Sequence, residues 1–116
     1  MDLVKPIDDI WKFKNKEIKI SKMDIKQVAK AALHAMKKMH NYNKYHEMCI
    51  YKLKISDNPK QIEYWTKRKL DTYNKISLFA TKLEFLDQRS EELNNPLPET
   101  FNEIKLFIDD LEKVHV

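Results

Sequence analysis

The chain has 116 residues, 22 Lys+Arg against 18 Asp+Glu, a formal charge of +4, and no glycine. With 42% hydrophobic and 34% charged residues it has the makings of one compact domain rather than a disordered chain. The missing glycine excludes a P-loop, a GxGxxG cofactor turn and a GxSxG elbow, each of which depends on glycine backbone freedom, so no cofactor is expected.

Residues 1–9 read as an N-terminal arm, since Pro6 disfavours a helix there. Residues 10–20 read as a β-hairpin. Trp11 and Phe13 alternate with lysines, as do Ile18 and Ile20, on either side of a polar break at Asn15 and Lys16. Asn15 tolerates the left-handed conformation of a tight turn, and the apolar face of so small a unit must lie on the helices that follow.

Residues 21–116 read as a helical bundle. Ser21 is placed to cap a first helix, with Asp24 three residues on. Apolar positions from Ile25 to Leu53 recur at a 3–4 spacing, with Asn43 and His46 as polar interruptions; a continuous helix is expected, with a bend or break near His40 to Asn43 as the alternative. Asn58 and Pro59 start a second helix, whose stripe is Ile62, Trp65, Tyr73, Ile76, Phe79, Ala80, Leu83, Leu86 and Leu93. Asn94, Asn95, Pro96 and Pro98 end it. A third helix, expected from about Pro98 to Val114, carries Phe101, Ile104, Phe107, Ile108 and Leu111. The expected class is mainly α: a β-hairpin, two long antiparallel helices of about 45–50 Å, and one helix half as long. A third helix that short leaves part of the long pair uncovered. Leu33, Met48, Leu78 and Phe85 lie off the stripes, either packed against it or open to a partner.

Charge is uneven. Residues 23–56 carry seven basic and two acidic side chains, residues 57–94 seven of each, and residues 95–116 two and five. Lys30, Lys37 and Lys44 repeat every seven residues opposite the apolar stripe, as a solvated face or a phosphate-contacting strip. Lys52, Lys54, Lys60, Lys67 and Arg68 gather near the turn between the long helices, with Tyr51, Tyr64 and Trp65. Cations among aromatics suit single-stranded nucleic acid, in which bases stack and phosphates pair. Twenty of the 22 basic residues are lysine, so such binding would be largely blind to sequence. Trp11 and Phe13 are candidates for a contact surface on the β-hairpin.

Catalytic and metal constellations are not expected. His34, His40, His46 and His115 have no HxxxH or HExxH spacing. Cys49 lies on the apolar stripe as a small buried hydrophobe. Asp8/Asp9, Glu91/Glu92 and Asp109/Asp110 are neighbours in sequence, which sends adjacent helix side chains to different faces. No run reaches the roughly 18 apolar residues of a membrane span, and residues 1–10 lack the apolar stretch of a secretory signal. One cysteine cannot close an internal disulfide, so a reducing, cytoplasmic setting is expected, the host cytoplasm if the gene is viral.

The string from Trp11 through Lys12, Phe13, Ile18 and Ile20 to Met23 and Asp24 resembles the opening of small bacteriophage proteins. Those begin with a tryptophan, a Lys-x-Gly turn, an I-x-I strand and a short link into a helix. The resemblance covers about fifteen residues and departs at the turn, where this chain has Asn15 and Lys16 in place of glycine. It implies a phage or mobile-element origin and transfers no functional residues. Together these features lead to a non-enzymatic protein-interaction module, a regulator or inhibitor of a host protein. One alternative is a lysine-rich single-stranded nucleic-acid binder. A second is a homo-oligomeric assembly protein.

Overall fold

A computed structural model describes residues 9–113. Most of the expected N-terminal arm, with Pro6, lies outside the described residues, as do Val114 and His115. The elements are β1 (Ile10–Phe13), β2 (Lys16–Lys19), a single 3-10 turn (Ile20–Lys22), α1 (Ile25–Ile55), α2 (Pro59–Glu92) and α3 (Phe101–Lys113). The expected β-hairpin followed by two long helices and one short helix is what the chain forms.

The β-hairpin closes one residue earlier than expected. Its loop is Lys14-Asn15, with the left-handed φ of 49° on Lys14, and Lys16 already pairs with Phe13. This register sets Trp11 opposite Ile18 and Lys12 opposite Glu17, whose charged atoms lie 3.8 Å apart. A loop at residues 15–16 would set Lys12 against Lys19, and like charges directly opposite are destabilising.

Helix α1 is capped by Asp24, not Ser21. Gln27 N donates to Asp24 Oδ1 at 2.8 Å while the Gln27 side chain accepts from Asp24 N at 3.0 Å. Ser21 sits in the 3-10 turn because the chain must first drive Met23, wholly buried, into the core. The helix then runs unbroken through residues 40–43, where no glycine or proline interrupts it. Helix α2 begins as expected, with Asn58 as cap and Pro59 in the first turn. It ends at Asn94, whose φ of 57° is the left-handed stop that asparagine tolerates. Helix α3 starts at Phe101, three residues later than expected, because Thr100 is its cap: Thr100 Oγ1 accepts from Glu103 N. The preceding Leu97 is held back by its N–H donating to Ser90 Oγ.

The core lies at one end. Trp11, Ile20, Met23, Val28, Leu86, Ile104 and Ile108 cluster around Ala29, Ala31, Ala32 and Ala35 of α1. Small residues are needed there because α1 is covered by neighbours on several sides. At this end the α1–α2 pair is clad on both faces. The β-hairpin lies on one, with Trp11 against His34 and Phe79 and the Ile10 carbonyl accepting from Lys82 Nζ. Helix α3 lies on the other, where Ile104 of its first turn borders a cleft shared with Met36, Met39, Ala80 and Leu83. On α2, Leu78 and Lys82 border the β-hairpin and sit about half a helical turn around from Ala80 and Leu83. With 31 and 34 residues, α1 and α2 span about 47 and 51 Å, and the molecule measures 60 × 38 × 25 Å. Their outer half, about residues 37–75, extends beyond both coverings. No helix among the described residues is long and apolar enough to cross a membrane.

Candidate functional site

The uncovered half of the helix pair carries ten Lys/Arg and four Asp/Glu, net +6, whereas the rest of the chain carries twelve and fourteen, net −2. Among the described residues, seven of the eight exposed large hydrophobic side chains also lie there: Met48, Tyr51, Ile55, Ile62, Tyr64, Leu70 and Tyr73. The eighth is Leu106 of α3. Charge and exposed apolar surface are therefore concentrated on one structural unit.

The seam that holds this unit together is thin. Cys49 and Thr72 are its buried residues, and Trp65 is half-buried. The expected stripe placed Tyr73, Ile62 and Asn43 inward. All three are exposed, Tyr73 at 60%. Thr72 takes the inner position instead, seven residues after Trp65 and four before Ile76, and so in phase with both. Its hydroxyl lies 2.9 Å from His46 Nδ1 and donates to the carbonyls of its own helix. His46, read from the sequence as a polar interruption of the stripe beside Asn43, instead pairs across the seam with a threonine that hydrophobic patterning passes over. Burial pushes the Cys49 thiol up, opposed in part by the Arg68 charge, which leaves it protonated and a poor nucleophile.

Four members of the expected cation–aromatic cluster, Lys52, Arg68, Tyr64 and Trp65, come together on one face. Lys52 Nζ stands 5.9 Å from the Trp65 ring, Trp65 meets Tyr64 edge-on at 5.0 Å, and the Arg68 guanidinium lies 4.9 Å over Tyr64. The chain Lys52, Trp65, Tyr64 and Arg68 crosses from α1 to α2. Lys67 points away and pairs with Glu63 at 3.6 Å, both well exposed. Lys54 and Lys60 are exposed near the turn. Inward of Arg68 the same face opens into a groove of about 640 Å³, lined by Lys38, Tyr42, Tyr45, Asp71, Thr72 and Lys75. Tyr42 is fixed by stacking on Phe79 at 6.1 Å. Sequence reading missed this groove because its lining residues are polar, and only the three-dimensional pairing of α1 with α2 brings them together.

Two expected surfaces are corrected. Lys30, Lys37 and Lys44 are not one free strip, because Lys30 pairs with Glu112 of α3 at 3.4 Å and Lys26 approaches the same carboxylate at 3.9 Å. The acidic third helix lies against the basic first one at that end, and only Lys37 and Lys44 remain on the open half. Trp11 is no contact surface, being 5% exposed and packed in the core, and Phe13 is half-buried against the same cluster. A two-stranded unit has no stability of its own and turns its one broad aromatic face inward. Partial desolvation, followed by the charges of Lys38 and Lys37, lowers the His34 pKa from its ordinary imidazole value, although the residue remains exposed beside Trp11.

Among the described residues, no group of three or more His, Cys, Asp or Glu side chains is placed to hold a metal ion. No protein-family model, curated protein or solved structure matches the chain.

Proposed function

We propose that the chain is a non-enzymatic protein-interaction module, a phage- or mobile-element-encoded regulator or inhibitor of a host protein acting in the host cytoplasm. The clad end is the scaffold and the uncovered half of α1–α2 is the contact unit. The observation that carries this reading is the placement on that half of seven of the eight exposed large hydrophobics among the described residues. Exposed apolar surface gathered on one unit marks an interaction site more often than scattered single residues do. The test is affinity capture from a nuclease-treated bacterial lysate with the wild-type chain and with Ile55→Asp/Leu70→Asp. Proteins retained by the first and lost with the second support the proposal. Retention of no protein by either opposes it.

A second reading is favoured by the chain of Lys52, Trp65, Tyr64 and Arg68: contact with single-stranded nucleic acid along that face. It predicts that the retained material is nuclease-sensitive. The assembly reading is weakened by charge, since pairing two uncovered halves brings +6 against +6.

A further inference from the structure

Helix α3 shows what the uncovered half lacks. It has 13 residues on a pair of 31 and 34, so the bed it occupies is only partly filled. Its apolar stripe buries Ile104 and Ile108, and Glu112 meets Lys26 and Lys30 of α1. Its first turns stop at a cleft of about 320 Å³ bordered by Met36, Met39, Ala80 and Leu83. Moving outward along α2 from Leu83 in steps of three and four gives Ala80, Ile76, Tyr73 and Leu70, then, one turn past Thr66, Ile62. These residues share the face that meets α3. Tyr73, Leu70 and Ile62 are all exposed. From Ala80 to Ile62 the open bed is about 27 Å long, room for a helix of roughly 18 residues.

We infer that this bed takes an amphipathic helix of a partner protein with an acidic flank, which completes outward the three-helix cross-section that α3 builds inward. The inference rests on the protein-interaction reading and names the partner's chemistry. Continuity with the α3 interface supplies the geometry: an apolar stripe at i, i+3, i+4 and i+7 laid between two helices. Charge supplies the sign. The outer half is net +6; Lys38, Arg68 and Lys75 of that sum line the opposite groove, while Lys69, seven residues after Ile62 and four before Tyr73, shares the face of the bed. The resident helix is itself acidic, residues 95–116 carrying two basic and five acidic side chains. At the inner end Glu84, Asp87 and Glu99 rim the cleft. The partner's carboxylates therefore belong toward the turn, with a helix N-terminus at the cleft, where its dipole is favoured.

The probe is a fluorescein-labelled peptide of about 18 residues with a leucine stripe and glutamate flanks. Its comparators are a twin with lysine flanks and a scramble of the first, each titrated against the full chain by anisotropy. The expected result is binding of the glutamate peptide about tenfold or more tighter than either comparator, and loss of about tenfold with Leu70→Asp or Tyr73→Asp. Tyr45→Ala, on the opposite face, leaves it unchanged. Both substituted side chains are exposed, and Leu70→Ser and Tyr73→Ser provide milder versions should the charged ones perturb folding. Equal binding of the scramble, or a loss that follows Tyr45 and not Leu70, overturns the inference. The two proposals separate in the capture experiment. Proteins lost with Tyr45→Ala but kept with Leu70→Asp leave the interaction module standing and remove this site. Capture of no protein removes both.

Discussion

His46 of α1 and Thr72 of α2 lie 2.9 Å apart, Nδ1 to Oγ1, in the half of the helix pair that has almost no apolar core. Thr72 is 4% exposed, so the contact is shielded and sets how α1 and α2 slide against each other. Thr72→Val keeps the shape, removes the hydroxyl and strands one imidazole nitrogen. It is expected to cost about 1–2 kcal/mol. The double variant His46→Leu/Thr72→Val removes both polar groups and recovers much of that loss. Urea unfolding of the four members of this cycle measures the coupling, and strict additivity would remove the register role.

Stability is expected to divide sharply between the two ends. Trp11, buried in the core, touches His34, Phe13 and Phe79, and Trp11→Ala should cost about 3–5 kcal/mol. Tyr51→Ala and Tyr73→Ala, at exposed positions of the outer half, should stay within about 0.5 kcal/mol. Denaturant midpoints for the three variants make the comparison. A large loss at Tyr73 would mean that the outer half packs on itself and offers less free surface than described.

His34 gives the fold a pH dependence of defined sign. Its pKa is lowered in the folded chain, first by burial and then by Lys38 and Lys37, so the unfolded chain takes up the proton more readily. The stability tied to the neutral ring is fully present above the unfolded imidazole value of about 6.5. It is lost as pH falls through that value toward the lower folded one. Thermal melts between pH 7.5 and 5 should show this decline, and His34→Gln should flatten it. An unchanged slope in His34→Gln would assign the decline to other groups.

Two left-handed residues among the described residues make opposite tests of the turns. Lys14 has φ 49° in the β-hairpin loop and Asn94 has φ 57° at the end of α2. A side chain with a Cβ costs about 1 kcal/mol there, which asparagine partly escapes. Lys14→Gly should therefore raise stability by about 0.5 kcal/mol after glycine's own entropic cost. Asn94→Val should lower it by about 1–2 kcal/mol. Chemical denaturation reads both, and a destabilised Lys14→Gly would show that the loop is held by contacts beyond its own backbone.

Element order and both ends of α2 were legible because they rest on local chemistry: the glycine-free runs, Asn58 with Pro59, and the Asn94 to Pro98 stop. What was not legible depended on competition between neighbours. Ser21 is as good a cap as Asp24, and the burial of Met23 decides between them. Tyr73 looks more apolar than Thr72, but phase with Trp65 and Ile76 puts the smaller residue inside, where a hydroxyl finds His46. Trp11 reads equally as surface or anchor until α1 and α2 are known to present alanines and Phe79 beneath it. Lys30 differs from Lys37 and Lys44 only because α3 is half the length of α1. That same shortness was visible in the sequence as an uncovered helix pair, as was the grouping of Lys52, Tyr64, Trp65 and Arg68 near the turn.

The nucleic-acid reading makes its own demand on the cation–aromatic face. If bases stack on Tyr64 while Arg68 and Lys52 meet phosphates, Tyr64→Ala should cost about tenfold in affinity for a fluorescent single-stranded oligonucleotide at low salt, and Arg68→Glu at least as much. Affinity should also fall steeply with salt, with a log–log slope of about −0.7 for each phosphate contacted. Lys30→Ala, whose ammonium is already engaged by Glu112, should change little. Arg68 over Tyr64 and Lys52 over Trp65 are contacts within the chain, and an incoming base must displace at least one of them. Absence of binding at low salt would mean that these contacts are the purpose of the cluster: they fasten α2 to α1 where no core does.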